Sequence, residues 1–174
     1  METFPAFSPD GRRLYFCSAP ACRMPESYRK IRYNLQSIAF DPEKRSFGQT
    51  IDTLYNANEE GRSAKLPRVS PDGRFLMYTV SDYGNISIWH KDAVMRLLDM
   101  LTGKTDSLLQ VYSNDVESYH SWSSNSQWFV FSSRRDDGLY TRPYICYLGA
   151  YGVPGKPFLL PQKETDYYER SLFS

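Results

Sequence analysis

The densest group of side chains able to do chemistry is Trp89-His90-Lys91-Asp92, which places a stacking ring, an imidazole, a cation and a carboxylate in four consecutive positions. Two readings apply. In one this is a binding loop, with Trp89 stacking on a ligand and His90, Lys91 and Asp92 hydrogen bonding to it. In the other Trp89 is packed and its neighbours are solvated. A second group is Arg134, Arg135 and Arg142 around Asp136 and Asp137. The three guanidiniums could grip an anionic group by forked hydrogen bonds. Alternatively, Asp136 and Asp137 neutralise the two adjacent arginines in a turn, with Gly138 at positive φ. His120, the other of two histidines, sits where Pro5 and Pro67 sit in related segments; the three could line a central channel, or His120 could be structural. Asp10 and Asp72 resemble a pair of acids, but each lies in an SPDG turn and reads as a turn former.

Motifs that position a reaction are missing. The sequence has no GxSxG elbow, HExxH pair, P-loop or GxGxxG, so no catalytic residue is assigned and the chain is expected not to be an enzyme. No cofactor is implied. Cys17, Cys22 and Cys146 form no CxxC pair, and no histidine spacing completes a zinc tetrahedron. They read as free thiols, with a Cys17 to Cys22 bridge as the alternative in an oxidising compartment. With 21 Lys and Arg against 20 Asp and Glu, net charge +1, no strong field collects nucleic acid, and no nucleic-acid partner is expected. The opening METFPAFSPDGRR lacks the apolar core of a signal peptide, and no 18-residue apolar run exists to insert into a membrane. Asn85-Ile86-Ser87 fits a glycosylation sequon by coincidence.

The elements that must carry these residues emerge from an internal repeat. Residues 4–18 (FPAFSPDGRRLYFCS), 66–81 (LPRVSPDGRFLMYTVS) and 119–133 (YHSWSSNSQWFVFSS) align on Phe7, Val69 and Trp122. Each has an apolar residue, a four-residue turn and a following apolar strand. In the turn, serine accepts a backbone hydrogen bond, proline presets φ, aspartate suits the third place and glycine tolerates positive φ. In the third copy Ser124, Asn125 and Ser126 replace Pro, Asp and Gly, so that turn is expected to be looser. Further strands are expected at 33–40 and 47–54, 94–100 and 107–111, and 144–148 and 156–160, with 94–100 alternatively a short helix. Residues 19–30 and 55–64 read as surface loops. With 16% aromatics and 41% hydrophobic residues in 174, the chain reads as all-β. Three four-stranded antiparallel units, at about 1–64, 65–116 and 117–163, describe β-propeller blades, with 164–174 a tail or the start of another blade.

On FPAFSPDGRRLYFCS, LPRVSPDGRFLMYTVS and the variant HSWSSNSQWFVFSSRRDDG, the chain resembles the WD40-like repeats of TolB-like (PD40) propellers, and is similar to the propellers of prolyl oligopeptidase-type enzymes. The position of Arg134 to Gly138 resembles the SDRDG-type loop of those repeats. The resemblance implies a non-catalytic binding module of a bacterial cell-envelope or periplasmic protein, taking a protein or glycan partner. Its alternative implication is the gating, substrate-selecting propeller of a serine peptidase. Three blades do not close a ring of about 4 to 8. The chain therefore reads as a fragment of a larger propeller, and its open blade faces are expected either to pair in a homodimer or to be crossed by residues 166–174.

Overall fold

The computed structural model describes residues 1–164 and 166–170. Three four-stranded antiparallel sheets follow one another, each a meander of adjacent strands. The first holds β1 (Glu2–Phe7), β2 (Arg13–Ser18), β3 (Asn34–Asp41) and β4 (Ser46–Tyr55). The second holds β5 (Ser63–Val69), β6 (Phe75–Ser81), β7 (Val94–Asp99) and β8 (Thr105–Asp106). The third holds β9 (Glu117–Trp122), β10 (Trp128–Ser133), β11 (Arg142–Tyr147) and β12 (Phe158–Leu159). These are three blades of an open propeller; the ring is not closed. Two short helices, α1 (Ala57–Glu60) and α2 (Tyr167–Arg170), accompany them.

The sheets stack face to face, and the alternation along β6 shows how. Leu76, Tyr78 and Val80 join Tyr15, Cys17, Leu35 and Tyr55 in a core between blades 1 and 2. Phe75 and Met77 join Met95, Phe129, Phe131 and Cys146 in a core between blades 2 and 3. Successive side chains of a strand point to opposite faces, so one strand seals two cores. Every residue of β6 is buried, whereas β2 and β10 alternate buried with half-buried positions. Among the described residues, only the middle blade is covered on both sides.

The repeated turns use their serines as expected. Ser8 Oγ and Ser70 Oγ accept from Arg13 N and Phe75 N, and each donates to the aspartate two residues on. The third turn reproduces this with Ser123 and Asn125 (Trp128 N to Ser123 Oγ 3.0 Å, Ser123 Oγ to Asn125 Oδ1 2.6 Å). The third turn thus keeps the hydrogen bonds of the other two. Ser126 takes the glycine place at φ 59°, and its hydroxyl accepts from Asp72 N of the neighbouring turn at 3.0 Å, a link no glycine can make.

Other expectations also change. The fourth strand of blade 2 is Thr105–Asp106; 107–111 instead turns, because Asp106 caps Leu108 N and a 3-10 turn buries Leu108 and Val111. Residues 94–100 are strand, not helix. Segment 55–64 is not a plain surface loop, since Tyr55, Ala57, Ser63 and Ala64 are buried. Each innermost strand carries a bulge whose first residue, Phe4, Leu66 or Tyr119, has φ between 51° and 54°. A left-handed conformation strains such side chains, and its threefold repetition makes it a property of the blade rather than of a site.

Gly84, in the loop after β6, has φ +64° and would place a Cβ 2.6 Å from the Tyr28 ring of blade 1. Gly84→Ala is expected to lower stability by about 2 kcal/mol, combining backbone strain with displacement of Tyr28. Urea unfolding of the variant measures this, and an unchanged midpoint contradicts it.

Candidate functional site

In a meander blade the connection from second to third strand and the connection onward to the next blade lie at the same end. At that end the loops are laced together. Ser63 Oγ donates to Gly84 O at 2.7 Å, Glu117 N to Ala93 O at 2.9 Å, and Ser87 bonds Ser118 through their hydroxyls. Trp89, His90, Lys91, Asp92, Arg134, Arg135 and Arg142 all lie on or beside these loops, so the two groups singled out in the sequence share one face.

The first group divides by burial. Trp89 is 72% exposed, so the packed reading does not describe it. Lys91 is exposed. His90 is buried, its ring edge-on to Tyr83 (centroids 4.4 Å apart) and its Nδ1 3.4 Å from Asp92 Oδ1. Burial first, and then the nearby Lys65 ammonium, lower the pKa of His90 despite Asp92. Asp92 is pushed upward by its own burial, but hydrogen bonds from Arg62 (3.0 Å) and Asp82 N (2.7 Å) outweigh this and hold it below the usual range.

The arginines separate too. Arg135 donates to Val111 O (2.8 Å) and Glu117 Oε1 (3.2 Å), with its guanidinium 4.5 Å from the Tyr144 ring centroid. Arg142 grips Asp136 at 2.8 Å and Asp137 at 3.0 Å. The acids thus neutralise Arg142 rather than the two arginines adjacent to them, while Gly138 does have positive φ, 72°. Arg134 is 8% exposed, with its Cζ 4.4 Å from the centroid of the Trp89 ring. That contact joins the loops of blades 2 and 3.

His120 is buried, its Nε2 3.0 Å from Met77 O of the next blade, and Pro67 is buried as well. The channel-lining reading is corrected for both: side chains of an innermost strand stand perpendicular to their sheet and so face the neighbouring blade, not the ring's axis. Pro5 is exposed because none of the described residues covers that side of blade 1.

Sequence reasoning missed Lys65 and Glu117. Lys65 is fully buried and donates to Ser81 Oγ (2.5 Å) and Tyr83 O (3.0 Å); burial lowers its pKa to about 8. Glu117, equally buried, accepts from Ser113 Oγ and from Arg135, yet burial raises its pKa to about 7. The repeat alignment held a signal for Lys65, which falls where Thr3 and Ser118 stand, but less for Glu117, which falls where Glu2 and Ala64 stand. All three cysteines are free thiols, and burial raises the pKa of Cys17 to about 12. Among the described residues no group of three or more His, Cys, Asp and Glu could hold a metal, and no helix is long and apolar enough to cross a membrane. What the face offers a ligand is an exposed ring over a guanidinium, beside buried groups that are paired with one another.

Solved structures share this architecture. The propeller domain of the Trilobed protease from Pyrococcus furiosus, described as having an open velcro topology, matches 93% of the chain at TM-score 0.50 and 11% identity. The chain is a partial β-propeller of three blades. Hydrazine synthase from Kuenenia stuttgartiensis matches 91% of it at TM-score 0.51 and 13% identity. The partial propeller spans 43% and 41% of those two chains respectively. No protein-family model and no curated protein matches the sequence.

Proposed function

We propose that this partial propeller is a non-catalytic binding module of the TolB-like (PD40) kind, part of a bacterial cell-envelope protein, and that it takes a protein or glycan partner on the laced loop face. The observation that carries the reading is Trp89. A tryptophan left 72% exposed at the centre of bonded loops, with a guanidinium against its ring, is the combination of residues that dominates binding interfaces. Arg62, bridged to Asp92, and Arg135, bridged to Glu117, keep the loops in place on either side.

The test compares the chain with its Trp89→Ala variant in affinity capture from cell-envelope extract and on a glycan array. Removing the ring is expected to weaken retention of the specific partner at least about tenfold. Equal retention by both forms, or none by either, overturns the reading.

A second reading is favoured by the likeness to a protease's propeller domain: the gating propeller of a prolyl oligopeptidase-type serine peptidase. Flanking coding sequence separates the two. A GxSxG-bearing α/β domain beside this segment supports the peptidase.

A further inference from the structure

We infer that Arg134 and Trp89 form a subsite for a single carboxylate of the partner, an inference that rests on the loop face being the binding face. Among the three arginines here, Arg135 is paired with Glu117, and Arg142 with Asp136 and Asp137. Arg134 has no carboxylate within ion-pair distance among the described residues. Its Nε makes a long bond to Thr141 Oγ1 (3.4 Å), and its Nη2 is buried without a hydrogen-bond partner. A charged donor buried and unpaired is costly to the folded state, so its persistence on a loop face points to a ligand that completes it.

The geometry states which ligand. Trp89 contacts the guanidinium through its ring, at 4.4 Å from the centroid. A guanidinium forks onto a carboxylate through its in-plane N–H edge, the edge to which the unpartnered Nη2 belongs. Binding then requires Trp89, itself open to solvent, to shift as the carboxylate reaches the buried Nη2. Nearby, Asp136 and Asp137 already answer Arg142, so a dianionic phosphate would approach two further acids with one free guanidinium to meet it. Asp137 already attracts Arg134 at longer range, so one negative charge suits this guanidinium better than two. The carboxylate is a protein chain's C-terminus or an Asp or Glu side chain.

Indole and guanidinium N–H resonances of the full chain, recorded by NMR, test this. The probes are N-acetylglycine for a terminal carboxylate, the α-amide of N-acetylglutamic acid for a side-chain carboxylate, N-acetylglycine amide as neutral control, and inorganic phosphate. The Trp89 indole and Arg134 Nε–H signals are expected to move with one or both carboxylates, the stronger naming the source, and to stay put with the neutral amide. Arg134→Gln should weaken the response at least about tenfold, and Arg134→Lys, which keeps charge but loses the fork, should restore only part of it. If Arg134→Gln fails to fold, Trp89→Phe retains a ring and Arg134, and its Arg134 Nε–H must still respond. No response to either carboxylate, an undiminished response in Arg134→Gln, or a stronger response to phosphate overturns the inference. Trp89-dependent partner capture alongside silent carboxylate probes would leave the binding face standing and remove the carboxylate.

Discussion

In light scattering the 174-residue chain is expected to show a mass well above its 20.2 kDa, rising with concentration towards a dimer. Blade 1 turns an apolar face away from blade 2. Phe47 and Ile51 are more than half exposed there, and a groove of about 360 Å³ runs between Pro5, Leu14, Phe16, Ile38 and Phe47. The rings of Phe7, Phe40 and Phe47 cluster at its edge, with centroids 5.5 and 5.0 Å apart. Blade 3 turns outward Trp128, Tyr147 and Phe158, another ring cluster. Helix α2 covers one corner of that face, where Tyr168 OH donates to Leu160 O at 2.7 Å, and leaves the ring cluster open. Exposed apolar patches beyond about 400 Å² drive association.

The occupant expected on both faces is a second copy. Each face has the composition of the interior junctions, where one blade's apolar side seals the next. Two copies, each spanning 43% of the Pyrococcus propeller domain's length, make up most of a propeller, and six blades is an ordinary ring. Blade 3 of each copy would seal blade 1 of the other about a two-fold axis, burying at least about 1,000 Å². Phe47→Glu combined with Ile51→Glu should return the mass to that of a monomer while leaving the circular dichroism spectrum unchanged, since neither side chain belongs to a core. A monomer mass across the whole concentration series, or a double variant with undiminished mass, contradicts the arrangement.

The blades were legible because their signals are local. Ser8-Pro9-Asp10-Gly11 and its copy at 70–73 announce a turn, and an apolar strand follows each of them. What stayed hidden depends on contacts between repeats. Nothing adjacent to Ser126 says that its hydroxyl reaches Asp72 N, 54 residues away, and so a turn that looks degenerate gains a link to the neighbouring blade. The left-handed residues of the innermost strands were equally silent, because Phe4, Leu66 and Tyr119 carry none of the usual preference for positive φ. Within the site, composition identified Trp89 and the arginines but not their partners. Which guanidinium is left without a carboxylate is decided by Glu117, 18 residues from Arg135, and by the stacking of blade 2 on blade 3.

The same long-range burial makes stability depend on pH in a compensated way, and breaking the compensation should have a large effect. Burial raises the pKa of Glu117 from 4.5 to about 7. The folded state then holds a proton the unfolded chain has released, so this contribution is complete below pH 4.5 and is lost as pH rises through about 7. Burial lowers the pKa of His120 from 6.5 to about 4, against the hydrogen bond to Met77 O. Its contribution has the opposite sign, complete above pH 6.5 and lost as pH falls through about 4. Between pH 4.5 and 6.5 the two slopes, each up to about 1.4 kcal/mol per pH unit, oppose one another. His90, also lowered, adds to the histidine side, so the wild-type chain should lose only a little stability across that window on acidification. Glu117→Gln keeps an acceptor for Ser113 and Arg135 but cannot bind the compensating proton. Its unfolding free energy from urea titration should therefore fall steeply between pH 6.5 and 4.5, by roughly 2 to 3 kcal/mol relative to its value at the upper end. His120→Gln, whose amide can still donate to Met77 O, should show the reverse, gaining stability over the same interval. Parallel pH profiles for the wild type and both variants would mean that neither buried group titrates as this packing requires.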